Sequence, residues 1–409
     1  MNGMPHRHAG WQPLLSRRTA LQLVLGFAAG SATPRWASAA MSSAMPDFAG
    51  ADALANALVE EGLLPGLSLA VMRRGEMLHA KGFGSANLET GTPVTAETVF
   101  RVGSVSKQFI AVSLALLAED GRLSLDDPLS RFLPLFPRAG DITLRQMIHH
   151  TSGLGNYTET EPREEFFRHA RLDYGDAELL AAMANTSPLF KFEPGAGWAY
   201  SNTAYVLLGL VVQVVTGEPY GAFLRRRLFE PAGLIHTSVD DAGEVVSNRA
   251  SGYTAKPDRP GEVRNAEFIS MTFPGAAGAM RSTAPDLCRW HAALLGGQII
   301  QPSTLQDMLT PARLANGELP PRPPRPGLSE EESRQPIRYG FGVFLGEFEG
   351  HEFVEHDGGI FGFVALHRSF WPQAATVAVL VNYDGFDSPE KFERLKAVRD
   401  SAARTALAI

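Results

Sequence analysis

Cysteine is almost missing from this 409-residue chain. Cys288 stands alone, which excludes an internal disulfide and any zinc or iron-sulfur site built from several cysteines. Acidic residues are missing from one region: residues 1–39 hold four arginines (Arg7, Arg17, Arg18, Arg35) and no Asp or Glu. The remaining chain therefore carries 33 basic against 44 acidic groups. No Lys/Arg cluster with interleaved aromatics relieves that excess, so no nucleic-acid partner is expected. Internal repeats are also lacking. The 40 glycines and 28 prolines are spread without a period and punctuate turns. What remains is ordinary globular usage, 44% hydrophobic and 20% charged, enough for a large core.

Arg17 and Arg18 precede an apolar stretch at 21–29, and Ala37-Ser38-Ala39 follows as a small-residue cleavage site. This is the three-part layout of a secretory signal. Nine residues are too few to cross a bilayer, which takes about 20. The run Ser16-Arg17-Arg18-Thr19-Ala20-Leu21-Gln22 resembles a twin-arginine signal and departs from it at Ala20 and Gln22. Residues 1–39 are read as an export signal. The mature protein is expected to be periplasmic or secreted, with no stable membrane span.

Residues 40–409 read as a single domain. Apolar spacing predicts a helix over 48–63, then strands over 66–70 and 77–83 around Arg73-Arg74-Gly75. Residues 104–118 are apolar nearly all round and stop at Gly121, which describes a helix buried between layers. Helices are expected over 142–150 and 204–215, strands over 339–345, 351–355, 363–370 and 375–382, and a last helix over 388–407. This segregation predicts an α+β fold: an antiparallel sheet flanked by helices, from about 47–121 and 271–409, with an all-helical lobe inserted at about 122–270. Residues 320–336 contain six prolines and three acids and read as an exposed insertion.

Three short motifs carry chemistry. A serine and a lysine at i and i+3 share one helix face, giving a nucleophile beside a base. Only six lysines occur, and two complete SxxK. Ser388-Pro389-Glu390-Lys391 is read as a helix start with Ser388 as its cap. Ser104-Val105-Ser106-Lys107 instead enters the buried helix, where desolvation disfavours the ammonium and frees the amine as a base. A capping Ser104 with a snorkelling Lys107 is the structural alternative. Tyr200-Ser201-Asn202 in an extended segment puts a phenol and a carboxamide on one side, although Asn202 as a helix N-cap reads equally well. His356-Asp357-Gly358-Gly359 follows a short strand, and glycines there let backbone approach a ligand and free an N–H for an oxyanion. A tight strand turn with an incidental histidine accounts for it as well.

SxxK at Ser104 and Lys107, YxN at Tyr200 and Asn202, and HxG at His356 and Gly358, in that order, resemble the serine beta-lactamase and penicillin-binding-protein superfamily. Supporting segments are 99–103, 142–144, 150–154, 207–209 and 278–283. The resemblance implies a beta-lactamase/transpeptidase-like fold and a Ser104 acyl-enzyme formed from an ester or amide substrate. Under it Lys107 and Tyr200 share the proton work, either serving as acylation base, and Asn202 orients substrate. The backbone N–H groups of Ser104 and Gly359 make the oxyanion hole, each donor worth about 3 kcal/mol. A cation near Tyr200 favours phenolate, so its phenol is expected to ionise below the ordinary value of about 10.

The third motif differs from the lysine-containing KTG of most beta-lactamases and resembles the HxG of some DD-peptidases, D-aminopeptidases and esterases. At its centre Asp357 is expected to repel substrate carboxylates if it faces the cleft; the alternative turns it to solvent or to Arg368. The rival readings are a DD-carboxypeptidase, a D-aminopeptidase, a beta-lactamase, or a non-catalytic module that binds penicillin or cell-wall fragments. No cofactor or metal is expected. His351 and His356 are five apart, where a zinc-protease helix needs four, and His149-His150 reads as structural.

Overall fold

The computed structural model describes residues 46–159, 162–259, 261–323, 334–386 and 388–409. The export signal read at 1–39 and residues 324–333 of the proline-rich insertion lie outside them. The strands are β1 (Gly66–Arg73), β2 (Glu76–Asn87), β3 (Thr92–Pro93), β4 (Phe100–Arg101), β5 (Ser238–Val239), β6 (Tyr253–Ala255), β7 (Val263–Asn265), β8 (Met280–Ser282), β9 (Phe344–Phe348), β10 (His351–Glu355), β11 (Gly358–Ile360), β12 (Phe363–Phe370) and β13 (Ala375–Val381).

The main sheet is antiparallel in the order β3-β2-β1-β13-β12-β10-β9, with β11 paired to β12. Every residue of β1 is buried, because both faces of the sheet are covered. Strand alternation divides the apolar side chains between two layers. Leu67, Leu69, Val71, Val377 and Val379 pack with Ala55, Leu58, Leu395, Val398 and Ala402 of the Ala49–Glu60 and Pro389–Leu407 helices. Ala70, Ala378 and Leu380 face the other way, in one core with the Ser106–Glu119 and Ala284–Leu295 helices.

Residues 106–117 are buried all round, as their uniform apolarity predicts. Short helices occupy residues 144–229, including Leu144–Ile148 and Asn202–Thr216. The stretch expected to be helical through 270 instead carries β5, β6 and β7, pieces of two or three residues too short to impose a period on the sequence. β5 joins β8 and β4 in a small sheet directly before the Ser104 turn. The strand expected at 339–345 begins at Phe344, because Gly342 takes φ +71° and Gly340 packs on the Met308 carbonyl, where a Cβ would come within 2.1 Å. Ser388 caps the last helix, its Oγ accepting from the Lys391 N–H.

Candidate active site

The turn carrying Ser104 is fixed by short-range contacts that need glycine. Gly103 has φ +50°, and a Cβ there would come within 2.8 Å of the Gly359 carbonyl oxygen. A Cβ on Gly358 would come within 1.9 Å of the Val102 carbonyl oxygen and 3.1 Å of the Ser104 nitrogen, whereas one on Gly359 would meet open space. β11 thus lies directly against the turn, with Gly359 on its open side. Ser106 secures the turn from within: its Oγ donates to the Gly103 carbonyl at 2.6 Å and accepts from the Met280 N–H at 3.2 Å.

Lys107 is fully buried on the first turn of the Ser106–Glu119 helix. Its Nζ lies 3.0 Å from Ser104 Oγ, 2.7 Å from Asn202 Oδ1 and 2.8 Å from the Ala277 carbonyl oxygen. The last two oxygens only accept, so they take two N–H bonds; the serine hydroxyl can donate to the remaining lone pair. A neutral amine therefore satisfies every contact. Burial pushes the Lys107 pKa well below its ordinary value, in the same direction.

Ser201 caps the Asn202–Thr216 helix, its Oγ accepting from the Ala204 N–H, so Asn202 is not the cap and its side chain is free for other partners. The orientation of that amide follows from donor logic. The Asn202 N–H donates to Asn156 Oδ1 at 3.2 Å, and Thr158 Oγ1 donates to the same oxygen at 3.0 Å. With its proton spent, Thr158 Oγ1 accepts from Asn202 Nδ2 at 3.1 Å, which turns Asn202 Oδ1 toward Lys107.

Tyr200 sits with its ring centroid 4.7 Å from Lys107 Nζ. Its phenol does not ionise more easily as expected: burial pushes the pKa above the ordinary value, and the hydrogen bond with Ser104 opposes this only in part. Desolvation outweighs the nearby amine because that amine is itself driven neutral.

His356 is buried, with its ring centroid 6.1 Å from that of Tyr200. Its Nδ1 donates to the Asp357 carbonyl at 2.7 Å, so Nε2 accepts from the Tyr339 hydroxyl at 3.2 Å. Burial lowers its pKa to about 3, which leaves the ring uncharged. The Asp357 carboxylate does not reach Arg368, which pairs with Glu355 and Asp400. It faces Arg399 at 3.8 Å, on the layer formed by the last helix, with Oδ1 buried and unbonded. Burial and the Glu355 carboxylate push its pKa up.

The structure therefore brings Ser104, Lys107, Tyr200 and Asn202 into direct contact and sets Gly358 and Gly359 beside them. Sequence reasoning missed Thr158, Asn156 and Ser106, and the Ala277 carbonyl, which no side chain could signal. The segment 150–154 lies close before Asn156 and was the nearest available pointer.

This arrangement of an SxxK pair, a tyrosine and a glycine strand on an α+β sheet defines a class. The chain belongs to the beta-lactamase family, whose model matches residues 51–400. Among curated relatives, penicillin-binding protein 4* of Bacillus subtilis is 29% identical over 321 residues, 75% of this chain and 66% of the relative. Esterase EstB of Burkholderia gladioli is 33% identical over 255 residues, 57% of this chain and 61% of its own. The chain thus spans somewhat less than two thirds of the length of these relatives. A D-stereospecific amidohydrolase from Streptomyces sp. superposes with a TM-score of 0.70 at 29% identity, covering 86% of this chain and 98% of that one. A D-amino acid amidase from Ochrobactrum anthropi SV3, in complex with L-phenylalanine amide, gives 0.72 at 27% identity, covering 88% and 99%.

Proposed function

We propose that the chain is an exported serine hydrolase that cleaves an ester or amide bond through an acyl-enzyme on Ser104. The observation that carries this is the fully buried Lys107 amine 3.0 Å from the Ser104 hydroxyl. Ser104 Oγ bonds to the substrate carbonyl carbon while its proton passes to Lys107 Nζ. The oxyanion is held by the N–H groups of Ser104 and Gly359. The leaving alcohol or amine takes a proton from Tyr200, which recovers one from Lys107. Burial supports these roles: it pushes the lysine toward its neutral, basic form and keeps the tyrosine protonated. Water then attacks the acyl-enzyme and frees Ser104.

The substrates that fit are uncharged around the scissile bond. His356 is neutral, so the third motif supplies no cation for a substrate carboxylate. The esterase and amidase relatives are consistent with this class. Export rests on the signal-like residues 1–39, and the mass of the mature protein from the periplasm or medium tests it.

Incubation with a fluorophosphonate, a fluorescent penicillin and a nitrophenyl ester, comparing wild type with Ser104→Ala, tests the reaction. Serine-dependent labelling by the fluorophosphonate and turnover of the ester are expected, and the adduct mass identifies the acyl half. No serine-dependent adduct with any probe leaves a binding module in its place.

A further inference from the structure

His150 is a buried titratable residue that the reaction above does not use, and its surroundings all concern Tyr200. Its backbone adopts φ +60°, the left-handed region that costs a non-glycine residue about 1 kcal/mol or more. Its carbonyl accepts from the Ala199 N–H at 3.0 Å, and its ring Nδ1 accepts from the Ser201 N–H at 3.1 Å. One residue therefore grips the chain immediately before and immediately after Tyr200. Its ring also packs on the Tyr200 ring with centroids 4.5 Å apart, backed by Tyr339 at 4.8 Å, Tyr205 at 5.1 Å and Trp198 at 5.6 Å.

The tautomer follows from these bonds. A backbone N–H can only donate, so Nδ1 holds a lone pair and a neutral ring carries its proton on Nε2. That Nε2 is buried without a hydrogen-bond partner. A strained backbone and an unpaired buried N–H both cost stability, which a purely structural residue at this position would not need.

We propose that His150 is the positioning residue of Tyr200: its neutral, Nε2-protonated ring and its carbonyl clamp both flanks of the tyrosine and hold the phenol beside Lys107 and Ser104. This rests on the reading of Tyr200 as a proton-transfer group. Misplacing such a group by about 1 Å costs about a hundredfold in rate, so the clamp matters without touching substrate.

The clamp is tested first on the intact protein. Histidine nitrogen shifts, with the His150 signals assigned by their loss in His150→Asn, are expected to show a bare Nδ1 and a protonated Nε2 from pH 5 to 9. A proton on Nδ1, or titration of this ring within that range, overturns the proposal whatever the activity. Two variants then separate the parts. Asn and Gly both tolerate a positive φ, but only Asn keeps an acceptor for the Ser201 N–H. His150→Asn is expected to keep kcat within about tenfold, and His150→Gly to lose about a hundredfold in kcat with KM little changed. Equal rates in the two variants, high or low, overturn the clamp. In a Tyr200→Phe background His150→Gly is expected to cost no more than about twofold, because the group it positions is already gone. A hundredfold loss there assigns His150 a general structural role instead. Wild-type activity in Tyr200→Phe alone sinks the reading of Tyr200, and the nitrogen shifts still decide the clamp.

Discussion

Asn202 presents Oδ1 to the Lys107 amine at 2.7 Å because Thr158 holds the other end of its amide. The chain of donors from the Asn202 N–H through Asn156 to Thr158 leaves no other orientation consistent with the hydrogen bonds. Thr158→Val removes the hydroxyl while keeping the shape. It is expected to lower kcat/KM for a nitrophenyl ester by about tenfold, the worth of a hydrogen bond of ~1.4 kcal/mol, while Thr158→Ser stays near wild type. Steady-state kinetics on both variants decide this, and a fully active valine variant refutes the orienting role.

The two glycines of the third motif have opposite surroundings. Gly358→Ala drives a methyl into the Val102 carbonyl and is expected to cost about 1–3 kcal/mol of stability along with most of the activity. Gly359→Ala points into open space and is expected to stay within about 0.5 kcal/mol of wild type. Chemical denaturation of both proteins measures the contrast. Equal destabilisation contradicts the packing of β11 on the Ser104 turn.

The pH profile of kcat/KM on an uncharged ester follows from three buried groups. Lys107 acts as base only when neutral, so activity falls as pH drops through its depressed pKa. His356, at about 3, adds no break above about pH 4. Tyr200 is pushed upward, so it adds no alkaline loss below about pH 10. Lys107→Arg, permanently charged, is expected to lose about 10²–10⁴-fold at every pH. A profile whose acid limb survives in that variant at full rate removes Lys107 as the base.

Stability is expected to fall on acidification. His149 (about 4), His356 and His367 (each about 3), together with His150 and His291, which are pushed well down as well, are all held neutral by burial below the ordinary 6.5. The unfolded chain takes up these protons from about pH 6.5 downward while the folded chain does not. Stability is thus fully present above that pH and is lost toward pH 4, at up to about 1.4 kcal/mol per pH unit for each histidine. Urea midpoints measured between pH 7.5 and 4.5 check the slope; a flat series contradicts the burial of these rings.

The Asp357 side chain is 39% exposed and lies 3.8 Å from Arg399, so solvent and that cation both weaken its field. Asp357→Thr is expected to raise kcat/KM for a carboxylate-bearing substrate by about threefold relative to an uncharged one. Selectivity measured on a matched pair of esters tests it, and no change in the ratio places the carboxylate outside the substrate's reach.

Much of this was legible in the chain itself. The i, i+3 spacing of Ser104 and Lys107 fixes their shared face on any helix, and the uniform apolarity of 104–118 requires that helix to be buried. Order and spacing of the three motifs carried the family and the fold. The short strands β5 to β7 escaped because two or three residues impose no period. The reach of Asp357 to Arg399 escaped because the partner lies on the last helix, 42 positions away.

The amino-acid order alone determined which side chains could react and on which elements they ride, because helical and strand periodicity are local properties of the backbone. Only the packed molecule decided their chemical state. Whether Lys107 is an amine, Tyr200 a phenol, His356 uncharged and Asn202 turned oxygen-first depends on water being excluded and on partners 44 to 170 positions distant. Desolvation and long-range hydrogen bonds exist once the chain has closed around them, and no stretch of sequence contains either.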